Sequence, residues 1–342
     1  MNKNHNKIFY HEKQINPYYR KLIDVCVSIT SIAYHVLLKT YNRLALKAAQ
    51  KKYKISIGAI FKNEGLFLKE WLEYHLLIGV EHFYLYSNNS NDNYYEILQP
   101  YIERGIVDLI EYNLPPPCQF SAYEDCFNKA KNETQWIAFI DLDEFICLKE
   151  GTNIATWLSK FKNYPCVVGY WKMFGTSGLL KHDSSKLVTE QYTICWDRQY
   201  DIGKSFFNTN YQIADFTKHH VYAGIIKLFG FKIVIQPINE FKKFIIFKSN
   251  RIGLITGLND WTMQINHYSS KAYLTCIIEK FLKRGDVNNH ERNAFTFFWH
   301  EHKNIAADYT IWRFLIQLKV KTGAIDSMPE VISFTNSLET KD

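Results

Sequence analysis

The chain has 342 residues and a formal net charge of +7, from 41 Lys and Arg against 34 Asp and Glu. Its 47% apolar and 22% charged residues exclude a mainly disordered chain, and only 15 Gly and 8 Pro exclude collagen-like or low-complexity architectures. The length accommodates two domains or one large domain with extensions. Seven cysteines, an odd number with no CxxC spacing, argue against a zinc ribbon or a dense disulfide framework; they fit small core residues in a reducing compartment.

Residues 1–21 are polar and basic and read as a mobile lead-in; without a continuous apolar run they give no sign of a cleavable secretory signal. Residues 22–38 (LIDVCVSITSIAYHVLL) are the most apolar N-terminal stretch, with Asp24 and His35 inside it. Three readings stay open. The segment is a helix packed on the body of the protein. Or it lies in a membrane interface with Lys39, Arg43, Lys47, Lys51 and Lys52 facing anionic head groups. Or it spans the bilayer, for which its length is at the lower limit. The positive net charge favours anionic surfaces without naming one.

From residue 54 the pattern changes. Ile55 to Phe61 predicts a strand, and the helical spacing of Leu68, Trp71, Leu72 and Leu76 predicts a helix stopped by Gly79. His82 to Ser87 is a second strand, ending in the turn-rich NNSNDN. YYEILQPYIERG is a second helix, IVDLIEY a third strand, FSAYEDCFNKAK a third helix and QWIAFI a fourth strand. Strands alternating with helices predict an α/β fold whose parallel sheet binds ligands beyond its strand carboxyl ends. Lys62–Asn63–Glu64, Asn88–Asp92 and Asp141–Glu144 should then share one rim.

After residue 150 the alternation weakens. WKMFGTSGLLKHDSS predicts a strand and an irregular loop, KLVTEQYTICW a strand, and residues 202–250 further strands. A helix is expected from near Lys271 to Gly285 and another over Asp308 to Leu318, with a loose tail after Thr322.

Asp141, Leu142, Asp143 and Glu144 follow the fourth strand. A strand places successive side chains on opposite faces, so Asp141 and Asp143 point the same way, and two carboxylates on one face can share magnesium or manganese and neutralise a diphosphate. The competing reading is a solvated turn after a buried strand.

The block IGAIFKNEGLFLKEWLEYHLLIGVEHFYLYSNNSNDNYYEILQPYIERGIVDLIEY, followed by QFSAYEDCFNKAKNETQWIAFIDLDEF, closely resembles glycosyltransferase family 92. FGTSG, KSFFN and INHYSSKAYLTCIIEKFLKRGD are similar to later blocks of that family, so the resemblance covers about residues 54 to 286. It implies a GT-A type (Rossmann-like), mostly parallel central sheet flanked by helices, here with an N-terminal helical extension. Residues 1–53 form the lead-in, 54–150 the nucleotide-sugar half, 151–320 the acceptor half and 321–342 the tail.

The resemblance also implies a site. Asp141 and Asp143 match the element that holds a divalent metal against the donor diphosphate, with Asp143 the direct ligand and Asp141 nearer ribose or metal. His267 would complete the Mn2+ or Mg2+ site, and Glu144 would orient water or a ligand. Asn63, Glu64 and Asp92 would line the nucleoside pocket. Asp92 is nearly as well read as a turn former, and Glu64 as a solvated acid at a helix start. Lys204 and Lys271 would face the leaving diphosphate.

The family pattern implies inversion, for which a general base is needed; Glu190 ranks first and Asp183 second, ahead of Asp215, with His219 and His220 as further lining. Structural salt bridges are an equal reading for these acids. Trp171, Phe174 and Trp196 are either sugar-stacking rings or core. The chain resembles short bacterial members. The implied activity moves a hexose, with galactose a candidate, from a UDP-sugar to a glycan or lipid-linked glycan in surface polysaccharide or lipopolysaccharide synthesis. The expected location is the cytoplasm, with peripheral contact to an anionic membrane and no nucleic-acid partner. The rival classes are a metal-dependent phosphohydrolase of a diphosphate and a non-catalytic, membrane-associated relative of the fold.

Overall fold

A computed structural model describes residues 9–10, 17–44, 50–115, 117–200, 202–216, 223–228, 230–243, 245, 261–278 and 294–323. Strand β1 (Phe9–Tyr10) precedes helix α1 (Pro17–Leu44). The helix starts inside the expected lead-in, because a proline ring pre-sets the dihedral of a first helical turn. The alternating region follows as β2 (Tyr53–Phe61), α2 (Gly65–Leu77), β3 (His82–Ser87), α3 (Tyr94–Glu103), β4 (Val107–Glu111), α4 (Gln119–Ala130) and β5 (Thr134–Phe139). Next come β6 (Glu144–Leu148), α5 (Ile154–Ser159), β7 (Cys166–Met173), α6 (Val188–Gln191), β8 (Ile194–Trp196), β9 (Gln199–Tyr200) and β10 (Gly203–Asn208). A small sheet holds β11 (Gln212–Ile213), β12 (Gly224–Leu228) and β13 (Phe231–Ile235). The rest is β14 (Met263–His267), α7 (Tyr273–Thr275), α8 (Ala294–Glu301), β15 (Asn304–Ala307), a 3-10 turn at Thr310–Phe314 and α9 (Leu315–Thr322).

The main sheet has eight strands in the order β4-β3-β2-β5-β10-β7-β14-β6. The predicted α/β fold with a mostly parallel central sheet is present. Its leading four strands are parallel neighbours; β10 then runs antiparallel to both β5 and β7, β14 lies parallel to β7, and β6 closes the sheet antiparallel. Parallel pairing is therefore concentrated in the first half, where each crossover helix has room to return. One apolar cluster runs from Ile55 through Phe139 and Phe206 to Leu318, so strands from both halves of the chain share a core.

Among the described residues, edge strand β6 has only β14 as a strand neighbour. Its other edge is covered by one face of α2. Trp71 Nε1 donates to Glu144 O at 2.9 Å, Tyr74 OH donates to Ile146 O at 2.8 Å, and Ile146 N donates to His75 Nε2 at 3.3 Å. Residues 71, 74 and 75 share a helix face, so three side chains satisfy the backbone edge that would otherwise invite a foreign strand.

Two expectations are corrected. KLVTEQYTICW is not one strand: Val188–Gln191 turns as a helix, and only Ile194–Trp196 is extended. Glu70 makes that turn, its carboxylate accepting from Val188 N at 2.7 Å and from Thr189 N at 2.9 Å. The strand carrying DLDEF stops at Phe139, and Glu144 N donates to Asp141 O at 3.0 Å, closing a turn over the acidic residues. Of the helix expected to Gly285, the described part ends at residue 278 and Gly285 lies outside the described residues. The tail beyond residue 323 also lies outside them; α9 ends on Gly323, whose φ of 76° suits a residue without a Cβ.

Helix α1 packs on the body through Leu38, with Tyr34 OH donating to Gln236 O at 2.5 Å and Tyr211 OH to Asn42 Oδ1 at 2.7 Å. No described helix is long and apolar enough to cross a membrane. None of the seven cysteines forms a disulfide, and six are buried, as their scatter predicts.

Candidate functional site

The acidic turn sits between β5 and β6, where β14 and β10 also bring side chains. Register pairs His267 with Glu144 across β14 and β6, so the two lie side by side at one end of the sheet. Asp143 O accepts from Tyr268 N at 2.8 Å, which fixes the turn against the end of β14. His267 Nε2 lies 3.5 Å from Asp143 Oδ1. Ligand atoms of Asp143, Glu144 and His267 all lie within 4.8 Å of one another.

Asp141 faces another way. Its Oδ2 is 2.9 Å from Lys204 Nζ, and its Oδ1 accepts from Tyr123 OH at 3.1 Å and Gln119 Nε2 at 3.2 Å. The turn thus separates the two aspartates that a continuous strand would have set in parallel. Glu144 joins the two sides: Oε2 accepts from Asp141 N at 2.9 Å and lies 3.3 Å from Lys204 Nζ. Burial pushes the Glu144 carboxyl well above its usual range; Lys204 opposes this, and Asp141 and Asp143 add to it. Burial alone would lower the Lys204 ammonium, but Asp141 and Glu144 outweigh it and its affinity for the proton rises.

The charge balance invites a cation. Asp141 and Glu144 share one buried ammonium, Asp143 faces His267, and among the described residues Glu144 Oε1 is buried with no hydrogen-bond partner. Two carboxylates and an imidazole are oxygen and nitrogen donors suited to manganese and acceptable to magnesium. The residues present fit a divalent ion at Asp143, Glu144 and His267.

The other predicted site residues on the nucleotide side fall into two groups. Lys271, four residues after His267, is buried with its Nζ 3.6 Å from Glu64 Oε2 and 3.9 Å from the centroid of the Phe67 ring. Its φ of 47° is left-handed, an unusual conformation for lysine held here by its burial. Asn63 and Asp92 clasp the ends of β2 and β3: Asn91 N donates to Asn63 Oδ1 at 2.8 Å, and Gly65 N donates to Asp92 Oδ2 at 2.7 Å. Asp92 therefore satisfies a backbone donor at the start of α2. Its second oxygen, Oδ1, is buried without a hydrogen-bond partner.

Glu190 and Asp183 have ionic or hydrogen-bond partners of their own. Glu190 Oε1 lies 2.5 Å from Lys319 Nζ of α9. Asp183 is exposed and accepts from Ser185 Oγ at 2.6 Å, with Lys186 3.7 Å away. Asp215 is exposed, and His219 and His220 lie outside the described residues. Among the aromatics, Trp171 packs against His267 with ring centroids 4.5 Å apart. Phe174 and Trp196 are buried, against Tyr268 and against Tyr200 and His300, as core packing predicts. Sequence reasoning missed Gln119 and Tyr123. Their four-residue spacing on α4 was the available signal, without meaning until Asp141 was placed.

The family model for glycosyltransferase family 92 matches residues 51–237. The chain belongs to glycosyltransferase family 92. A family 92 protein of Ricinus communis is 32% identical over 149 residues, covering 42% of this chain and 27% of the relative. A galactan beta-1,4-galactosyltransferase of Arabidopsis thaliana is 27% identical over 108 residues, covering 28% of this chain and 21% of that one. The chain thus spans about a quarter of the length of these relatives. A solved mannosyltransferase of Pyrobaculum calidifontis, in complex with GDP-Man and Mn2+, is similar at 12% identity and a TM-score of 0.28, over 44% of this chain and 47% of that chain. The matched region contains the acidic turn and Lys204.

Proposed function

We propose that this family 92 enzyme transfers a hexose from a UDP-sugar to a glycan hydroxyl with inversion, using a divalent ion held by Asp143, Glu144 and His267. The observation that carries the reading is the buried Glu144 Oε1, without a hydrogen-bond partner among the described residues, inside that cluster. Manganese or magnesium bound there supplies charge neutralisation for the departing diphosphate. Lys204 keeps Asp141 and Glu144 in place, and Tyr123 and Gln119 steady the other Asp141 oxygen. The Lys271 ammonium adds positive charge on the phosphate side, and the second oxygen of Asp92 is available to a ribose or base donor. Similarity to the Arabidopsis galactan galactosyltransferases favours galactose. The acceptor is a surface glycan, free or lipid-linked.

The acceptor hydroxyl proton passes in this reading to a carboxylate of the 183–190 segment. Asp183→Asn and Glu190→Gln separate the two candidates by kcat. The reading as a whole is tested by turnover of UDP-galactose, UDP-glucose and UDP-N-acetylglucosamine with a glycan acceptor, with and without EDTA. EDTA and Asp143→Ala are each expected to lower turnover by about 100-fold or more. Turnover indifferent to both would overturn the metal site, and free sugar released without regard to acceptor would mark a hydrolase instead.

A further inference from the structure

Helix α1 has two faces with different fates. Leu38, Tyr34 and Asn42 hold one face on the body. The other carries Leu22, Val25, Ile29, Ile32 and Val36, which alternate steps of three and four residues and so form a single stripe. All five are between 49% and 65% exposed. A monomeric soluble surface rarely leaves so continuous an apolar strip open to water.

The stripe continues in the same register into Lys39 and Arg43, both exposed. Asp24 is the lone acidic residue in the sequence of the helix, against Arg20, Lys21, Lys39 and Arg43. The β12–β13 hairpin joins the helix at its base: β13 leads directly to Gln236, whose carbonyl accepts from Tyr34 OH. That hairpin exposes Phe231 at its turn and flanks it with exposed Lys227 and Lys232. Two neighbouring elements thus combine exposed apolar side chains with cations.

We infer that α1 and the β12–β13 hairpin form a docking surface for an anionic lipid bilayer, with Leu22, Val25, Ile29, Ile32, Val36 and Phe231 entering the acyl boundary. The cations at the end of the stripe reach phosphates along their apolar stems. A pairing with a second copy of the chain fits less well. The three-and-four spacing is also that of a coiled-coil seam, but there Lys39 and Arg43 would occupy the seam itself, and the flanking positions held by Cys26, Ser28 and Ala33 offer no complementary charges. Head groups accept the same cations without that penalty, each adding to the attraction of an anionic surface. The surface is independent of the catalytic reading, since none of its residues touches the acidic turn.

The test is co-sedimentation of the full chain with vesicles of phosphatidylcholine alone and of phosphatidylcholine with one third phosphatidylglycerol. Partitioning onto the anionic vesicles is expected to exceed that onto neutral ones by about tenfold and to weaken with salt. Ile29→Glu with Ile32→Glu should lower it by about tenfold, while the melting temperature without vesicles and donor turnover in solution stay unchanged. Phe231→Ser, on the other element, should weaken binding alone. Equal binding to both vesicle types, or binding indifferent to the Ile29 and Ile32 changes, overturns the inference. So does a dimer by sedimentation equilibrium that these changes dissociate, since the stripe is then a seam between copies.

Discussion

Lys204 Nζ lies 3.3 Å from Glu144 Oε2, and neither side chain has any exposed area. Lys204 also reaches Asp141 at 2.9 Å, so a single buried ammonium holds both ends of the acidic turn. A charge taken out of water on this scale is tolerated only while its partner is present.

Lys204→Met should therefore destabilise the protein by about 3–5 kcal/mol at pH 7, because it strands the Glu144 carboxylate. The loss should shrink at pH 5. The raised Glu144 carboxyl then takes up a proton and needs no counter-charge, and this protonated form is favoured further once the ammonium is gone. Urea unfolding of both proteins at the two pH values measures this. A loss equal at both would mean that Glu144 stays charged without Lys204.

The alternating half of the fold is legible in the sequence because its signals are local: apolar runs of strand length, helical spacing and Gly79 or Gly105 at helix ends. The acidic cluster is legible as composition but not as geometry. Whether Asp141 or Asp143 faces the metal position is decided by the turn that Glu144 N closes, and by Lys204 arriving from a strand 63 residues later. The helical turn at Val188–Gln191 is hidden for the same reason, since the carboxylate that caps it, Glu70, lies 118 residues away. EWLEYH announces a helix, but its purpose appears only once β6 is known to be an edge strand.

Gly203 shows how closely the Lys204 strand must approach its neighbour. A Cβ at this position would lie 1.9 Å from the carbonyl oxygen of Gly169, a backbone atom fixed in the ladder of β7. Gly203→Ala should part the two strands at the residue before Lys204. The expected cost is about 1–3 kcal/mol, accompanied by a smaller thermal stabilisation on adding Mn2+. Differential scanning calorimetry with and without Mn2+ reads both, and an unchanged melting temperature would show that β10 has slack here.

His75 provides a pH test of the α2–β6 contact. Burial drives its imidazole from the ordinary 6.5 down to about 3, and Trp71 O, 2.8 Å from Nδ1, opposes that shift only partly. The neutral ring suits both contacts, with Nδ1–H donating to Trp71 O and Nε2 accepting from Ile146 N. Between pH 6.5 and 3 the unfolded chain protonates this histidine and the folded chain does not. Its contribution is complete above pH 6.5 and is lost as the pH falls towards 3, about 2–3 kcal/mol of it by pH 4.5. His75→Gln retains a donor and an acceptor but does not titrate. The stability gap between wild type and variant should therefore narrow, or reverse, by that amount between pH 7 and pH 4.5 in urea denaturation. Parallel pH profiles for the two proteins would show that His75 is protonated in the folded state and does not accept from the β6 edge.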